Sequence, residues 1–300
     1  MSSRARTYLI AGLRLKIISS VGEAATFLPP VMDAFVTSGT EAADLTITLY
    51  YDEEAQADPL RRFFPPQFMM EIRDGGFSFD GMEGRRKRLG LVSAGCAGAE
   101  MGLPLLDTAW RISEEEEALR EALQAFVRAC LQCRLLQEGG TLVHAAAIDW
   151  EGDGFAFAGH TRAGKTTLSR GFAAECVLGD DLAAVGRGPR GFTLYGTPWP
   201  GREGGIVAYG GVPLRAVFNL HPEMDTGLYR QSPGEALADL AANAPRLGYG
   251  GEESKLLGVF SSLVETVPIY RLSLRLGDDA AVYLRRVSAE EGEGQWRRPT

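Results

Sequence analysis

Three hundred residues suffice for one large domain or two modest ones, and a 45% hydrophobic composition supplies a real core. A net charge of −8, from 31 Lys and Arg against 39 Asp and Glu, removes broad electrostatic attraction to nucleic acid or to an anionic membrane. No apolar run approaches the roughly eighteen residues of a bilayer span, and four scattered cysteines read as reduced thiols rather than a disulfide framework. At the N-terminus, Leu9-Ile10-Ala11-Gly12-Leu13 is interrupted by Arg14 and Lys16, which makes a strand rather than a signal peptide. The expectation is a soluble, cytoplasmic protein with no nucleic-acid or membrane partner. Its oligomeric state is left open, a homo-oligomer included.

In chain order, residues 8–20 alternate loosely and predict one or two strands, and Pro29-Pro30 starts a short helical stretch through Val36. Residues 45–51, rich in β-branched and aromatic side chains, predict a strong strand. Residues 68–72 and 76–80 predict a hairpin around Arg73-Asp74-Gly75. The basic cluster Gly84-Arg85-Arg86-Lys87-Arg88 reads as a solvated turn, or alternatively as a dock for an acidic partner. The first hundred residues are thus expected to be β-rich, without chemistry that can be named.

Ser113 with Glu116 forms a capping box ahead of an acidic first turn, and Leu119, Leu123, Phe126, Val127, Cys130 and Leu131 form a helical stripe that Gly139-Gly140 ends. Cys130 and Cys133 form C-x-x-C near the C-terminal end of this helix. A redox pair needs the opposite end, where the dipole lowers a thiol pKa, so both read as packing residues.

The chemistry begins at Gly159-His160-Thr161-Arg162-Ala163-Gly164-Lys165-Thr166, which fits the phosphate-loop pattern G-x-x-x-x-G-K-[ST]. An apolar strand, 154–158, precedes it, and a helix is predicted over 167–174 after Thr167. In that setting backbone amides of residues 159–167 wrap a β-phosphate, Lys165 reaches the β- and γ-oxygens, and Thr166 offers its hydroxyl to Mg²⁺. His144 opens a strand that pairs by hairpin with the loop's strand, so it is expected beside Gly159. Asp180-Asp181 follows one helix and one turn after the loop, the spacing of a βαβ unit whose parallel strands end on the same edge. Phosphoryl transfer needs two carboxylates there, one to hold Mg²⁺ and one to orient or deprotonate a hydroxyl. Residues 191–205 read as a strand followed by a Gly/Pro-rich loop, either an ordinary connection or a lid. Arg162, Trp199 and Arg202 are the substrate or lid candidates. Further on, residues 212–220 predict a strand, Ser232 a capped helix through Asn243, 254–264 a helix and 267–274 a strand; from Ser288 a polar, frayed tail is expected. His221 has no partner visible in the sequence.

Taken together, His144, the loop and Asp180-Asp181 resemble the catalytic domain of HPr kinase/phosphorylase over roughly residues 139 to 285. The wording Gly164-Lys165-Thr166-Thr167-Leu168-Ser169 also looks like the phosphate loop of ATP-dependent phosphoenolpyruvate carboxykinase, a relative in fold. The resemblance implies a mainly antiparallel, β-rich P-loop kinase core. It also implies that Asp180 or Asp181 is the general base towards a serine hydroxyl, assisted by His144. Two departures point away from HPr as substrate. Thr161-Arg162 stands where the family has a small Ser-Gly, and neither a second glycine-rich signature nor the family's N-terminal domain is recognisable. Some HPr-kinase-like proteins with a divergent β-rich front half phosphorylate precursor peptides, and that acceptor class comes first.

The expectation is therefore an α/β (α+β) protein with a β-rich region at 1–112, a connecting helix at 113–138, a nucleotide-binding catalytic domain at 139–287 and a tail at 288–300. Its expected activity is Mg-ATP-dependent transfer of a γ-phosphoryl group to a Ser or Thr hydroxyl of a peptide or protein. A nucleotide-binding ATPase switch without acceptor, and a kinase of a small molecule, are the alternatives.

Overall fold

The computed structural model describes residues 4–21, 28, 30–51, 68–73, 76–81, 87–93, 95–103, 114–160, 163–201, 208–221, 227–246, 251–275 and 278–293. The chain is mixed α/β and divides into two compact units, one of Met1–Thr141 with Arg246–Leu256, the other of Leu142–Pro245 with Leu257–Thr300. Each is built on a mixed sheet.

In the first unit the strands are β1 (Arg4–Ile10), β2 (Leu13–Ser19), β3 (Leu45–Tyr51), β4 (Phe68–Arg73), β5 (Gly76–Gly81), β6 (Lys87–Ser93) and β7 (Gly98–Leu103), ordered β1-β2-β3-β7-β6-β5-β4. The pairs β2–β3 and β3–β7 are parallel and the rest antiparallel. In β2 every second residue is buried, the signature of one face against a core. That core contains Leu15, Ile17, Leu45, Ile47 and Leu49, with Met32 and Phe35 from a 3₁₀ turn at Pro30–Phe35. Helix α1 (Glu114–Gln137) packs on β3, and its Phe126 ring sits where a Cβ on Gly90 would come within 2.7 Å. The predicted helix and the 68–80 hairpin both correspond to elements here, while Ser113, the predicted cap, lies outside the described residues. Of the basic cluster read as a turn, Gly84, Arg85 and Arg86 lie outside the described residues, and Lys87 and Arg88 instead open β6.

The second unit contains β8 (Thr141–Val143), β9 (Ala145–Trp150), β10 (Asp153–Ala158), α2 (Lys165–Ser169), β11 (Val177–Gly179), β12 (Ala183–Gly188), β13 (Gly191–Gly196), β14 (Gly211–Leu220), β15 (Gly227–Arg230), α3 (Pro233–Asn243), most of α4 (Glu252–Thr266), β16 (Ile269–Ser273) and α5 (Ala281–Glu293). The sheet order is β11-β9-β10-β14-β13-β12-β8, with β16 on β14 and β15 on β16. The hairpin β9–β10 turns through Glu151 and Gly152, both at positive φ, and the Asp149 side chain accepts from the Gly152 N–H at 2.9 Å.

Strands β10, β14 and β16 are mutually parallel, so their C-terminal ends share an edge. Their register stacks Phe157 on Phe218 (centroids 4.9 Å apart) and Phe218 on Tyr270 (5.7 Å). Each such pair adds about 0.5–1.5 kcal/mol beyond area burial. Leu168 of α2 and Leu284 and Val287 of α5 complete this core, which lies under the loop that follows β10.

Several elements differ from expectation. Strand β11 does not adjoin β10: β9 lies between and is antiparallel to both, which still leaves β10 and β11 running in the same direction. Helix α2 is shorter than 167–174, because the Gly171 N–H turns back to Leu168 O and the chain leaves the helix. Strands β12 and β15 were not expected, and α5 continues past Ser288 to Glu293. No helix among the described residues is long and apolar enough to cross a membrane.

Candidate functional site

The loop after β10 is shaped by its two glycines. Gly164 adopts φ +95°, a left-handed conformation that costs other residues about 1–2 kcal/mol. At Gly159 a Cβ would lie 2.8 Å from Ala163 Cβ and 3.2 Å from Leu220 Cβ, so the loop packs against β14 only without a side chain there. The Ala163 N–H bonds His160 O at 3.0 Å, and the Leu168 N–H bonds Gly164 O at 2.9 Å as α2 begins. Thr166 is half-buried and Thr167 exposed.

Lys165 is 6% exposed. Its Nζ donates to Gly159 O at 2.8 Å and His160 O at 3.1 Å, and stands 3.7 Å from Asp181 Oδ1. Burial pushes its pKa below the ordinary lysine value, while Asp181 and then Asp180 pull the other way. The loop thus bends its own lysine onto two main-chain oxygens with a carboxylate beside it.

Asp180 leaves the end of β11 and is 2% exposed. Its Oδ1 accepts from the Gly201 N–H at 3.1 Å, and its Oδ2 is buried with no hydrogen-bond donor among the described residues. The segment holding it is fixed twice: Thr197 Oγ1 donates to Leu182 O at 2.6 Å, and Gly201 closes on Asp180. A Cβ on Gly201 would approach Asp180 Oδ2 to 3.2 Å, so the lack of a side chain leaves that oxygen room. An orphaned buried carboxylate oxygen is costly unless something pairs with it, which fits a cation or a proton donor on a ligand. Among the described residues no group of three or more His, Cys, Asp or Glu side chains is placed to hold a metal ion.

Of the remaining predicted residues, His144 is exposed and its main-chain oxygen accepts from the Gly159 N–H at 3.2 Å, so it stands at the loop's base. Trp199 is 4% exposed, and its indole N–H has no acceptor among the described residues. Thr161, Arg162 and Arg202 lie outside the described residues. Sequence reasoning missed Gly201, a glycine in a glycine-rich stretch whose neighbour Arg202 drew the attention. It also missed the partners of His221. The Nε2 of that ring meets Asp239 Oδ2 at 3.1 Å, and Nδ1 meets Arg271 at 3.0 Å; Gln231 links Asp239 to Asn219. A guanidinium only donates, so Nδ1 carries the lone pair and Nε2 the proton.

Comparison of the chain with protein-family models and with curated proteins returns no match.

Proposed function

We propose that the second unit is a P-loop kinase core of the HPr kinase/carboxykinase type, and that the protein transfers the γ-phosphoryl group of Mg-ATP to a Ser or Thr hydroxyl of a peptide or protein. One observation carries the reading. The buried Lys165 ammonium lies 3.7 Å from Asp181, and the neighbouring Asp180 keeps a buried carboxylate oxygen without a donor among the described residues. A lysine inside a glycine-flanked loop with two acids at hand is the set that phosphoryl transfer requires.

In this reading the loop amides and Lys165 bind the β- and γ-phosphate oxygens and offset the charge that builds on them. Thr166, Asp180 and Asp181 would hold magnesium, which would supply further neutralisation of the phosphate oxygens. One aspartate takes the proton of the acceptor hydroxyl as its oxygen bonds to the γ-phosphorus. The bond from that phosphorus to the β–γ bridging oxygen breaks, and ADP leaves. Gly201, through its N–H on Asp180, is a positioning residue. His144, at the base of the loop, assists the base.

The test is incubation of the protein with γ-labelled ATP, Mg²⁺ and a cell extract, followed by identification of the labelled species. A labelled peptide or protein, absent with Lys165→Ala, supports the reading. Release of labelled phosphate with no labelled acceptor replaces it with an ATPase switch.

A further inference from the structure

In the first unit, two sulfurs that the proposed phosphoryl transfer does not use come together. Cys96 lies in the turn between β6 and β7 and Cys133 near the end of α1, and both are buried. The Cys133 thiol donates to the Cys96 sulfur, and Gln137, one helical turn further on, approaches the same sulfur with Nε2 at 3.7 Å. We propose that Cys96 and Cys133 form a modification site for a peroxide: Cys96 attacks the oxidant, and Cys133 closes a reversible disulfide that staples α1 to the β6–β7 turn.

The seat of Cys96 is unusual. It takes φ +53°, a left-handed conformation that glycine adopts freely and cysteine rarely. The turn fixes it there: the Cys96 N–H donates to Ser93 O at 2.8 Å, the Gly98 N–H to Ser93 Oγ at 3.1 Å, and Arg134 of α1 donates to Gly95 O at 3.4 Å. Its neighbours Gly95 and Ala97 are exposed, so local opening of this turn brings a small oxidant to the sulfur. The surroundings also activate it. The Cys133 contact and the Gln137 amide, with the charges of Lys255 and Arg134, outweigh burial and hold the thiol down to about 6, so the thiolate predominates at neutral pH. Cys130 is not the partner: three residues apart on one helix, Cys130 and Cys133 hold their Cβ atoms about 5–6 Å apart, beyond the about 3.5–4.5 Å of a disulfide.

Peroxide is the only oxidant the chemistry needs. The Cys96 thiolate attacks one peroxide oxygen; the S–O bond forms, the O–O bond breaks, and the departing hydroxide takes up a proton as water. The Cys133 sulfur then attacks the sulfenic sulfur of Cys96. The S–S bond forms, the S–O bond breaks, and the hydroxyl leaves with the Cys133 proton as a second water. The two sulfurs lose the two electrons that the peroxide gains. Cys133 suits the second step only, because its contact with Cys96 and burial keep its proton in place until Cys96 becomes a neutral sulfenic acid. The finished bond restricts the unfolded chain more than the folded one, and a thiol reductant reopens it.

The test exposes the reduced, intact chain to hydrogen peroxide under native conditions, blocks the remaining thiols with N-ethylmaleimide at successive times, and maps the peptides by mass spectrometry. A linked Cys96–Cys133 peptide pair is expected, formed at least about tenfold faster than Cys176 is oxidised, although Cys176 is the more exposed thiol. Dithiothreitol is expected to remove the link. In Cys133→Ser, which keeps a hydroxyl donor beside Cys96, a 1,3-diketone probe is expected to trap sulfenic acid at Cys96. If that variant does not fold, the order of oxidation in the wild type decides alone. Oxidation of Cys176 ahead of Cys96, a link made by Cys130, or four unmodified thiols in the folded protein with linkage only in urea overturns the proposal and leaves the cluster as packing.

Discussion

Cys96, Cys130 and Cys133 are buried in the first unit as Lys165 and Asp180 are in the second, but the two groups are held in different ways. In the first unit the sulfurs serve one another. Cys133 donates to the Cys96 sulfur, and Gln137 Nε2 approaches it at 3.7 Å, which pushes the Cys96 thiol down to about 6 against burial. The same contact and burial push Cys133 up, and burial alone dominates at Cys130. In the second unit the lysine donates to two main-chain carbonyls, and among the described residues Asp180 is satisfied on one oxygen only. Cys130 and Cys133, held protonated, behave as small hydrophobes and tolerate such surroundings, while Cys96 has neighbours that favour its ionised form. A buried carboxylate oxygen without a donor does not tolerate them, and the cost of about 1–3 kcal/mol makes sense where a ligand repays it. The second unit thus buries a carboxylate oxygen that has no donor among the described residues, which the sulfur group of the first unit does not.

The sharpest test of that contrast is Asp180→Asn. If Asp180 serves a ligand, phosphoryl transfer falls by a factor of about a thousand or more while urea denaturation shows unchanged or higher stability. A loss of more than about 1 kcal/mol in that variant would make Asp180 a structural group and erase the difference between the units.

Gly196→Ala probes the scaffold behind Asp180. Its Cβ would lie 2.3 Å from both Leu178 O and Ala208 O, main-chain atoms that cannot turn aside. A stability loss of about 3 kcal/mol or more is expected in chemical denaturation. A variant as stable as the wild type would mean that β13 can shift and that Asp180 is not rigidly seated.

For the sulfur group the sign of the pH effect is decisive. Cys96 in the folded chain ionises at about 6, below its ordinary value of 9.0, so the unfolded chain holds a proton that the folded chain has released between those values. Stability should rise with pH across this window and be lost as pH falls through about 6. Denaturation midpoints of wild type and Cys133→Ala at about pH 5.5 and about pH 8 would show the slope in the first and a smaller one in the second. The smallest effect concerns neither group: Ser232→Ala removes the capping box of α3 at a cost of about 1 kcal/mol, with both buried clusters untouched.

What could be read from the sequence was local. The loop residues are contiguous, α1 announces itself by its acidic first turn, and the start of α3 carries Ser232 and Glu235 three apart. The hairpin β9–β10 needs only a two-residue turn, which is why His144 could be put beside Gly159. What could not be read depends on partners far along the chain. Strand β12, Ala-Ala-Val-Gly-Arg-Gly, has little intrinsic strand character and is a strand because β13 pairs with it. The N–H that holds Asp180 comes from 21 residues away, and the guanidinium on His221 from 50. In one chain of letters, such pairs leave no mark.

The division of the chain has a consequence for biogenesis. Because the first unit includes Arg246–Leu256, a ribosome that has released only the opening 141 residues has not yet delivered all of its parts. The β-rich half must wait, partly assembled, while Leu142–Pro245 of the loop-bearing half is made. A fragment cut at the apparent boundary would lack a segment that its own core contains, so excision by sequence position alone would give a less stable product than the intact polypeptide.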